Sequence, residues 1–300
     1  MRMRVVDVFS GCGGLSLGFE QSGADVIAAF DKWEPAVEIY RANFDHPIYL
    51  ADLTQDEPVE QIKGLAPDAI IGGPPCQDYS IAGKRQLGER ANLTIRFAEI
   101  ASYVRPKWLV FENVYNIERF GTLPRMKELL HDVGYGLSER ILDASLCDVP
   151  QKRRRYFLVG LHGAQDGFFD SKLIEGMGTH HMTVRDYLGD KLHTQYYYMH
   201  PRSYARRGVF SIDEPSATIR GINRPIPDNY KQHHADVAPI SAGVRALTTK
   251  ERSYLQSFPE EFKLPGAKTN VELAIGNAVP PALSRYVAQR ILEYDSTLIS

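Results

Sequence analysis

Residues 4–9 constrain the fold more than any other stretch. The run Arg4-Val5-Val6-Asp7-Val8-Phe9 is β-branched and apolar apart from one aspartate, and it passes directly into Ser10-Gly11-Cys12-Gly13-Gly14. Such a run reads as a buried strand, and glycines at its end let the backbone turn tightly and approach a ligand. A helical pattern follows over 13–22, a strand over 24–30, and a helix over about 33–43 with Ala36, Val37, Ile39 and Tyr40 near helical spacing. Further strands are predicted at 68–72, 107–111 and 155–161, with a helix over about 93–103 between the first two. This alternation predicts an α/β fold, a doubly wound, mostly parallel sheet with helices on both faces. Ligands of such sheets bind outside the carboxyl ends of the strands, so chemistry is expected just after each strand.

The pattern changes after residue 161. From about 162 to 240 the chain is rich in Gly, Pro, Arg, His and Tyr and has no sustained periodicity, which predicts a second, smaller and irregular domain. Within it, Arg202, Arg206, Arg207, Arg220, Arg224 and Lys231 outnumber Asp213, Glu214 and Asp228, with Tyr196, Tyr197, Tyr198, Tyr204, Phe210 and Tyr230 interleaved. The net charge of −2 and the pI near 6.5 do not announce a polyanionic partner. Charge distribution informs more than the total, and the cluster reads either as a solvated loop region or as a nucleic-acid surface. Helices are expected again at 248–258 and 279–292.

Three cysteines, an odd number spread along the chain, make neither a disulfide framework nor a zinc-ligand spacing. A reducing cytoplasm is the expected home, and no metal is expected. No apolar run approaches the roughly 20 residues that span a bilayer. Met1-Arg2-Met3 before the first strand leaves no room for a signal peptide, so no membrane partner is expected.

The post-strand residues are chemically pointed. The glycine loop 10–14 opens a helix whose free N–H groups suit a nucleotide or small cofactor. Asp31, at the end of the second strand, suits ribose hydroxyls, and Asp52, after the third, suits an adenine amino group; each reads equally as a helix cap. Cys76 is sharper. A lone cysteine is usually a small buried hydrophobe, but Gly72-Gly73-Pro74-Pro75 stiffens the backbone and presents this thiol at a strand end. The loop 80–92, with Gly83, Lys84, Arg85, Gly88 and Arg90, reads as a basic lid. Glu112, leaving an apolar Leu-Val-Phe run, is expected to be desolvated and its pKa raised, or else to start a helix. In Gln151-Lys152-Arg153-Arg154-Arg155, strand alternation puts Arg153 and Arg155 on one face. Gly276-Asn277-Ala278-Val279-Pro280-Pro281 is expected to open the last helix, with Asn277 closing a ligand pocket or capping it.

Taken in order, these segments resemble the DNA cytosine-C5 methyltransferase family. Phe9-Ser10-Gly11-Cys12-Gly13-Gly14 is similar to its cofactor loop. Pro74-Pro75-Cys76-Gln77, Glu112-Asn113-Val114 and Gln151–Arg155 are similar to its catalytic motifs. Arg245 with Leu255-Gln256-Ser257-Phe258-Pro259, then Gly276–Pro281, are similar to its closing pair. The resemblance covers nearly the whole chain except about 165–240, where the family varies. It implies methyl transfer from S-adenosylmethionine to a cytosine flipped out of duplex DNA, with Cys76 as nucleophile, Glu112 at N3, Arg153 at O2 and Arg155 steadying the pocket or the cysteine loop.

The implied cofactor contacts are Phe9, Ser10, Gly11, Cys12, Gly13, Gly14, Asp31, Lys32, Asp52, Leu53, Pro75, Leu93, Asn277, Ala278 and Val279. The implied DNA contacts are Ser80, Lys84, Arg85, Arg202, Arg206, Arg207, Arg220 and Arg224. The implied division is a Rossmann-like catalytic domain at 1–164 plus 270–300 and a target-recognition domain at 165–269, in a monomer. The sequence departs from the family pattern at Asp78, Tyr79 and Lys32, the last where an apolar residue often covers the adenine. Three other readings stand beside this one: the same chemistry on tRNA, an inactive DNA-binding or partner subunit, and a nucleotide-binding oxidoreductase.

Overall fold

The structure, a computed structural model, describes residues 2–75, 93–203 and 205–298, and of Phe120 only the backbone. Its main sheet contains β1 (Arg4–Val8), β2 (Asp25–Asp31), β3 (Ile48–Leu50), β4 (Ala69–Gly72), β5 (Trp108–Val114), β6 (Tyr135–Asp143) and β7 (Arg154–His162). They lie in the order β3-β2-β1-β4-β5-β7-β6. Neighbours from β3 to β5 are parallel, and β7 runs antiparallel to both β5 and β6. The chain works outward from β1 to β3 and then returns to β4, so the connections reverse between β1 and β4. That reversal opens a crevice at the carboxyl edge.

Alternation along each strand explains why both faces are covered. Val5, Ile71 and Val110 point to one side and pack with Leu15 and Phe19 of α1 (Gly14–Gln21) and Leu283, Val287 and Ile291 of α9 (Pro281–Thr297). Val6, Ile70, Leu109 and Phe111 point to the other side. They pack with Val59 of α3 (Asp56–Gly64), Phe97 of α4 (Leu93–Val104) and Met126 of α5 (Leu123–Asp132). Strands buried on both faces read as continuous apolar runs, which is why these were legible.

A smaller sheet, in the order β10-β8-β9, joins β8 (Tyr196–Tyr198), β9 (Val209–Ser211) and β10 (Arg245–Ala246). Capping boxes at Thr183 and Thr248 start α6 (Val184–Leu188) and α7 (Thr249–Leu255) beside it. Tyr197, Phe210, Leu247 and Leu255 share a core with Val37 and Tyr40 of α2 (Glu34–Arg41) and with Ile275 of α8 (Lys268–Asn277).

The last of these helices corrects the sequence reading. Asn277 closes α8 rather than opening the final helix; Ala278–Pro280 form a connector, and Pro281 begins α9. Two consecutive prolines lack N–H donors, so α8 cannot continue through them. Asn277 therefore reaches the ligand side from a helix C-terminus. β6, α3, α5 and α8 had no counterpart in the expected elements.

Candidate active site

The carboxyl ends of β1 to β5 surround a cavity of about 650 Å³. Each strand contributes the residues that follow it: Phe9–Cys12 after β1, Asp31–Trp33 from β2, Ala51–Leu53 after β3, Gly73–Pro75 after β4 and Glu112–Val114 at the end of β5. Gly14 and Leu15 of α1, Leu93 at the start of α4, and Leu273, Ala274 and Gly276 to Val279 around the α8–α9 connector complete the wall, together with Arg155. Because β7 is antiparallel, its amino end, not its carboxyl end, lies at this edge.

The first loop is held in an unusual backbone. Phe9 and Gly11 have φ of 58° and 55°, and Gly13 has φ of 93° as the residue before α1. A non-glycine residue at positive φ stores strain that the surroundings must hold. Asp31 does part of that: its carboxylate accepts from the Gly11 N–H at 2.8 Å and from the Trp33 N–H at 2.8 Å. Burial raises the Asp31 pKa, and these N–H donors oppose the shift. Asp31 thus ties the loop to β2 while still facing the cavity. Asp52 accepts from the Thr54 N–H and hydroxyl through Oδ1, and Lys32 lies 3.9 Å from its Oδ2. Gly13 lies outside the lining: a Cβ there would come within 2.4 Å of Phe44, so it packs beneath the loop. A Cβ on Gly14 would come within 2.1 Å of the Val279 carbonyl, so its lack of a side chain lets the α8–α9 connector close against α1.

On the opposite wall Glu112 is 7% exposed, and the Arg155 Nε lies 3.0 Å from its Oε1. Burial raises the Glu112 pKa, with Arg155 and then Arg153 pulling against it. Gly73 passes so close to this carboxylate that a Cβ would meet Oε2 at 3.0 Å. Asn113, which carried no assigned role in the sequence reading, donates from Nδ2 to the Pro74 carbonyl at 3.1 Å. It fixes the backbone just ahead of position 76 relative to Glu112.

The two arginines of the basic motif do different work. Arg153 and Arg155 do alternate with the exposed Lys152 and Arg154. Yet Arg153 is 1% exposed, and its guanidinium donates to the carbonyls of Ile219, Gly276 and Ala278, each at 2.9 Å. It braces the connector from behind; among the described cavity-lining residues Arg155 is present and Arg153 is not. Its Nη1 and Nη2 are committed to backbone, while its buried Nε meets no hydrogen-bond partner among the described residues.

Two cysteines are described and both are reduced and buried. Burial pushes the thiols of Cys12 and Cys147 up to about 12, so neither is a nucleophile at neutral pH. Cys76, with Ser80, Lys84, Arg85 and the expected lid at 80–92, lies outside the described residues. Among the described residues no cluster of His, Cys, Asp and Glu has metal-binding geometry, and no helix is long and apolar enough to cross a membrane.

The five arginines expected to meet nucleic acid divide in two. Arg207 forms a two-pronged pair with Glu214, at 3.0 and 2.5 Å, and lies over the Phe210 ring. Arg220 donates to the His200 carbonyl. Arg202, Arg206 and Arg224 are exposed and meet no carboxylate among the described residues.

A family model described as C-5 cytosine-specific DNA methylase matches residues 3–293. Type II methyltransferase M.HindV of Haemophilus influenzae is 52% identical over 296 residues, covering 98% of this chain and 97% of that protein. Type II methyltransferase M.HgiDI of Herpetosiphon aurantiacus is 48% identical over 294 residues, covering 97% and 95%. Among solved structures, the S. pombe Dnmt2 methyltransferase matches with a TM-score of 0.74 at 18% identity, covering 98% of this chain and 99% of that one. This last likeness bears on the fold alone.

Proposed function

The chain belongs to the C-5 cytosine-specific DNA methylase family, and on that premise we propose that it methylates C5 of a cytosine in duplex DNA, using S-adenosylmethionine and a covalent bond from Cys76 to C6. One observation carries the reading. The strained glycine loop and the Glu112–Arg155 pair face one cavity from opposite walls, and the Pro74-Pro75 segment leading to Cys76 is tied to the Glu112 wall by Asn113.

The residues present fit the cofactor. Phe9 to Cys12 and Asp31 offer backbone and carboxylate partners to a polar ligand, Trp33, Leu53 and Pro75 offer apolar surface, and Asn277 to Val279 close the far side. When bound, the cofactor supplies an electrophilic methyl group. The protein's part is to make C5 nucleophilic. Addition of the Cys76 thiolate to C6 breaks the ring's conjugation and leaves C5 enamine-like. A protonated Glu112 donates to N3 as negative charge develops there, a role its buried, raised carboxyl suits. Arg155 donates to O2 and holds Glu112 in place, while Arg153 acts only by positioning the connector. After C5 takes the methyl group, loss of its proton to a base expels the Cys76 thiolate and returns the N3 proton to Glu112.

Reaching C6 requires the base to leave the stack. We assign target recognition to 165–269 and catalysis to 1–164 with 270–300. Arg202, Arg206 and Arg224 are assigned to DNA contact, with Ser80, Lys84 and Arg85 acting from the lid. Arg207 and Arg220 are assigned to holding the recognition segment together.

The test is transfer of labelled methyl from S-adenosylmethionine to unmethylated duplex DNA, with Cys76→Ser alongside. Label at cytosine C5 that disappears in the variant is expected. Label on tRNA but not on duplex, or undiminished label in Cys76→Ser, would overturn the reading.

A further inference from the structure

We propose that Ser16, Tyr40 and His46, none of them among the described cavity-lining residues, hold the Phe9–Gly13 loop in its cofactor-binding shape and so set affinity for S-adenosylmethionine from outside the site. The proposal rests on the function given above and deepens it. The loop is the segment between β1 and α1, and a single side-chain bond clasps its two flanks. Ser16, in the first turn of α1, donates from Oγ to Oδ2 of Asp7, in β1, at 2.6 Å. Both residues are fully buried, and Asp7 Oδ1 meets no hydrogen-bond partner among the described residues.

The clasp continues outward. Tyr40 of α2 donates to Ser16 Oγ at 2.6 Å, and the Tyr40 oxygen lies 2.6 Å from His46 Nε2. A hydroxyl has one proton to give. Ser16 spends its own on Asp7 and Tyr40 spends its own on Ser16, so the Tyr40 oxygen accepts and His46 presents Nε2–H to it. The other imidazole nitrogen, Nδ1, lies 2.9 Å from Glu20 Oε1. Ser16 and Glu20 are one turn apart on α1. The chain therefore leaves that helix at Ser16, crosses α2, and returns at Glu20, with both buried hydroxyls aimed inward toward Asp7.

The rings of this chain are also the floor of the loop. The centroids of Tyr40 and Phe44 are 4.2 Å apart, and those of His46 lie 5.5 and 5.3 Å from them. A Cβ on Gly13 would meet Phe44 at 2.4 Å and Tyr40 at 3.0 Å. Above this floor Phe9 keeps a positive φ, a conformation that the surroundings must hold. Burial pushes the Tyr40 phenol well above its ordinary value, so it stays a donor. A loop already held in its bound shape takes its ligand without a further ordering cost, and affinity gains by that much. Glu112 and Arg155 stand on the opposite wall, so loss of the chain leaves the chemical step itself intact.

The test measures S-adenosylmethionine affinity by calorimetry and, on duplex DNA, kcat at saturating cofactor. Tyr40→Phe keeps the ring beneath Gly13 but breaks the chain. It is expected to weaken affinity about tenfold, the worth of one buried hydrogen bond left unmade, with kcat unchanged. His46→Phe should do the same from the outer end, where the side chain is 10% exposed. His46→Gln, which keeps a donor toward Tyr40, should retain most of the affinity. Asn43→Ala is the control for stability alone. It removes bonds to the Ile39 and Lys263 carbonyls in the same segment, and should lower the melting temperature without weakening affinity. Wild-type affinity in Tyr40→Phe and His46→Phe, a loss in kcat instead of affinity, no rescue by His46→Gln, or an equal affinity loss in Asn43→Ala would overturn the proposal while leaving the methyltransferase reading intact. No binding of S-adenosylmethionine by the wild type would overturn both.

Discussion

The wall of the cavity and the segment of short strands beside it are held by different physics. The wall follows from the sheet. Most of its residues lie within a few positions of a strand of the main sheet, which aims them, and the rest come from α1, the start of α4 and the α8–α9 connector packed against that sheet. Around residues 184–258 the strands are only two or three residues long, and their buried residues, Tyr197, Tyr198, Val209 and Phe210, pack into cores shared with the helices and loops around them. Specific polar pairs add to that order: Arg252 with Glu272, Gln151 with Gln256, Arg207 with Glu214. Truncating one apolar side chain in a layered core leaves a cavity, whereas removing one member of a buried pair leaves the other's charge without a partner. A segment pinned by a few such anchors can also change its surface while keeping them, which suits the target-recognition role proposed for it.

The largest expected effect tests those anchors. Glu272→Ala leaves the Arg252 guanidinium, 2% exposed, without its counter-charge and removes partners of Asn223 and Thr249. Breaking one member of a buried ion pair costs about 3–5 kcal/mol. Urea denaturation should show that loss, while Asp213→Ala, at the exposed pair with Arg185, should change stability far less. Similar small losses at both sites would mean that the buried pair is not an anchor.

On the wall, Glu112→Gln keeps the shape of the side chain but removes the carboxyl proton that the proposed mechanism passes to N3. Removing one transition-state donor typically costs about 10²–10³ in turnover. The expected result is a kcat loss of that order with cofactor affinity unchanged, measured by single-turnover transfer and by calorimetry. A weakened cofactor site with normal kcat would place Glu112 in the wrong role.

Between neighbouring arginines the contrast narrows further. Arg206→Ala should weaken DNA binding and lower the slope of log K against log salt by about one phosphate's worth, leaving thermal stability unchanged. Arg207→Ala should lower stability, since Glu214 loses its partner and Phe210 its cover. If both variants shift the salt slope equally, the division between outward and inward arginines fails.

The same contrast decides what could be read from the chain alone. The sheet was legible because β1, β4 and β5 are apolar runs buried on both faces, and the post-strand residues followed from them. Glu112's raised carboxyl was also legible, from its exit out of Leu109-Val110-Phe111. The separate tasks of Arg153 and Arg155 were not. Alternation put them on one face, but only the packing of Ile219 and Gly276 over that face shows that one is covered and the other is not. Helix α8 escaped for a related reason. Its burial is spread around Val271, Glu272, Ala274 and Ile275, so no polar stripe marks it. Gln256 and Glu272 look like surface residues in sequence, and become anchors only through partners far away in the chain.

A further effect, and the one that separates the two regions by sign, is that of pH. Asp7, beneath the Phe9–Gly13 loop, is fully buried; Ser16 donates to it at 2.6 Å and Tyr40 donates to Ser16 at 2.6 Å. Burial pushes its carboxyl from 3.8 up to about 7. Between these values the folded protein keeps a proton that the unfolded chain releases. This contribution to stability is therefore fully present below pH ~4, falls as pH rises, and is gone above pH ~7. In the segment of short strands the sign is reversed. A hydrogen bond from Arg185 lowers the exposed Asp213 carboxyl, so its contribution is present near neutrality and is lost as pH falls through the lowered value. Asp7→Asn removes the titrating group but keeps an acceptor for Ser16. The difference in unfolding free energy, wild type minus variant, should decline between pH 4 and 7 by at most about 1.4 kcal/mol per pH unit. For Asp213→Asn the corresponding difference should shrink only at the acid end. Parallel stability curves for wild type and Asp7→Asn across that range would show that Asp7 is ionised in the folded protein, and would remove the buried proton from beneath the loop.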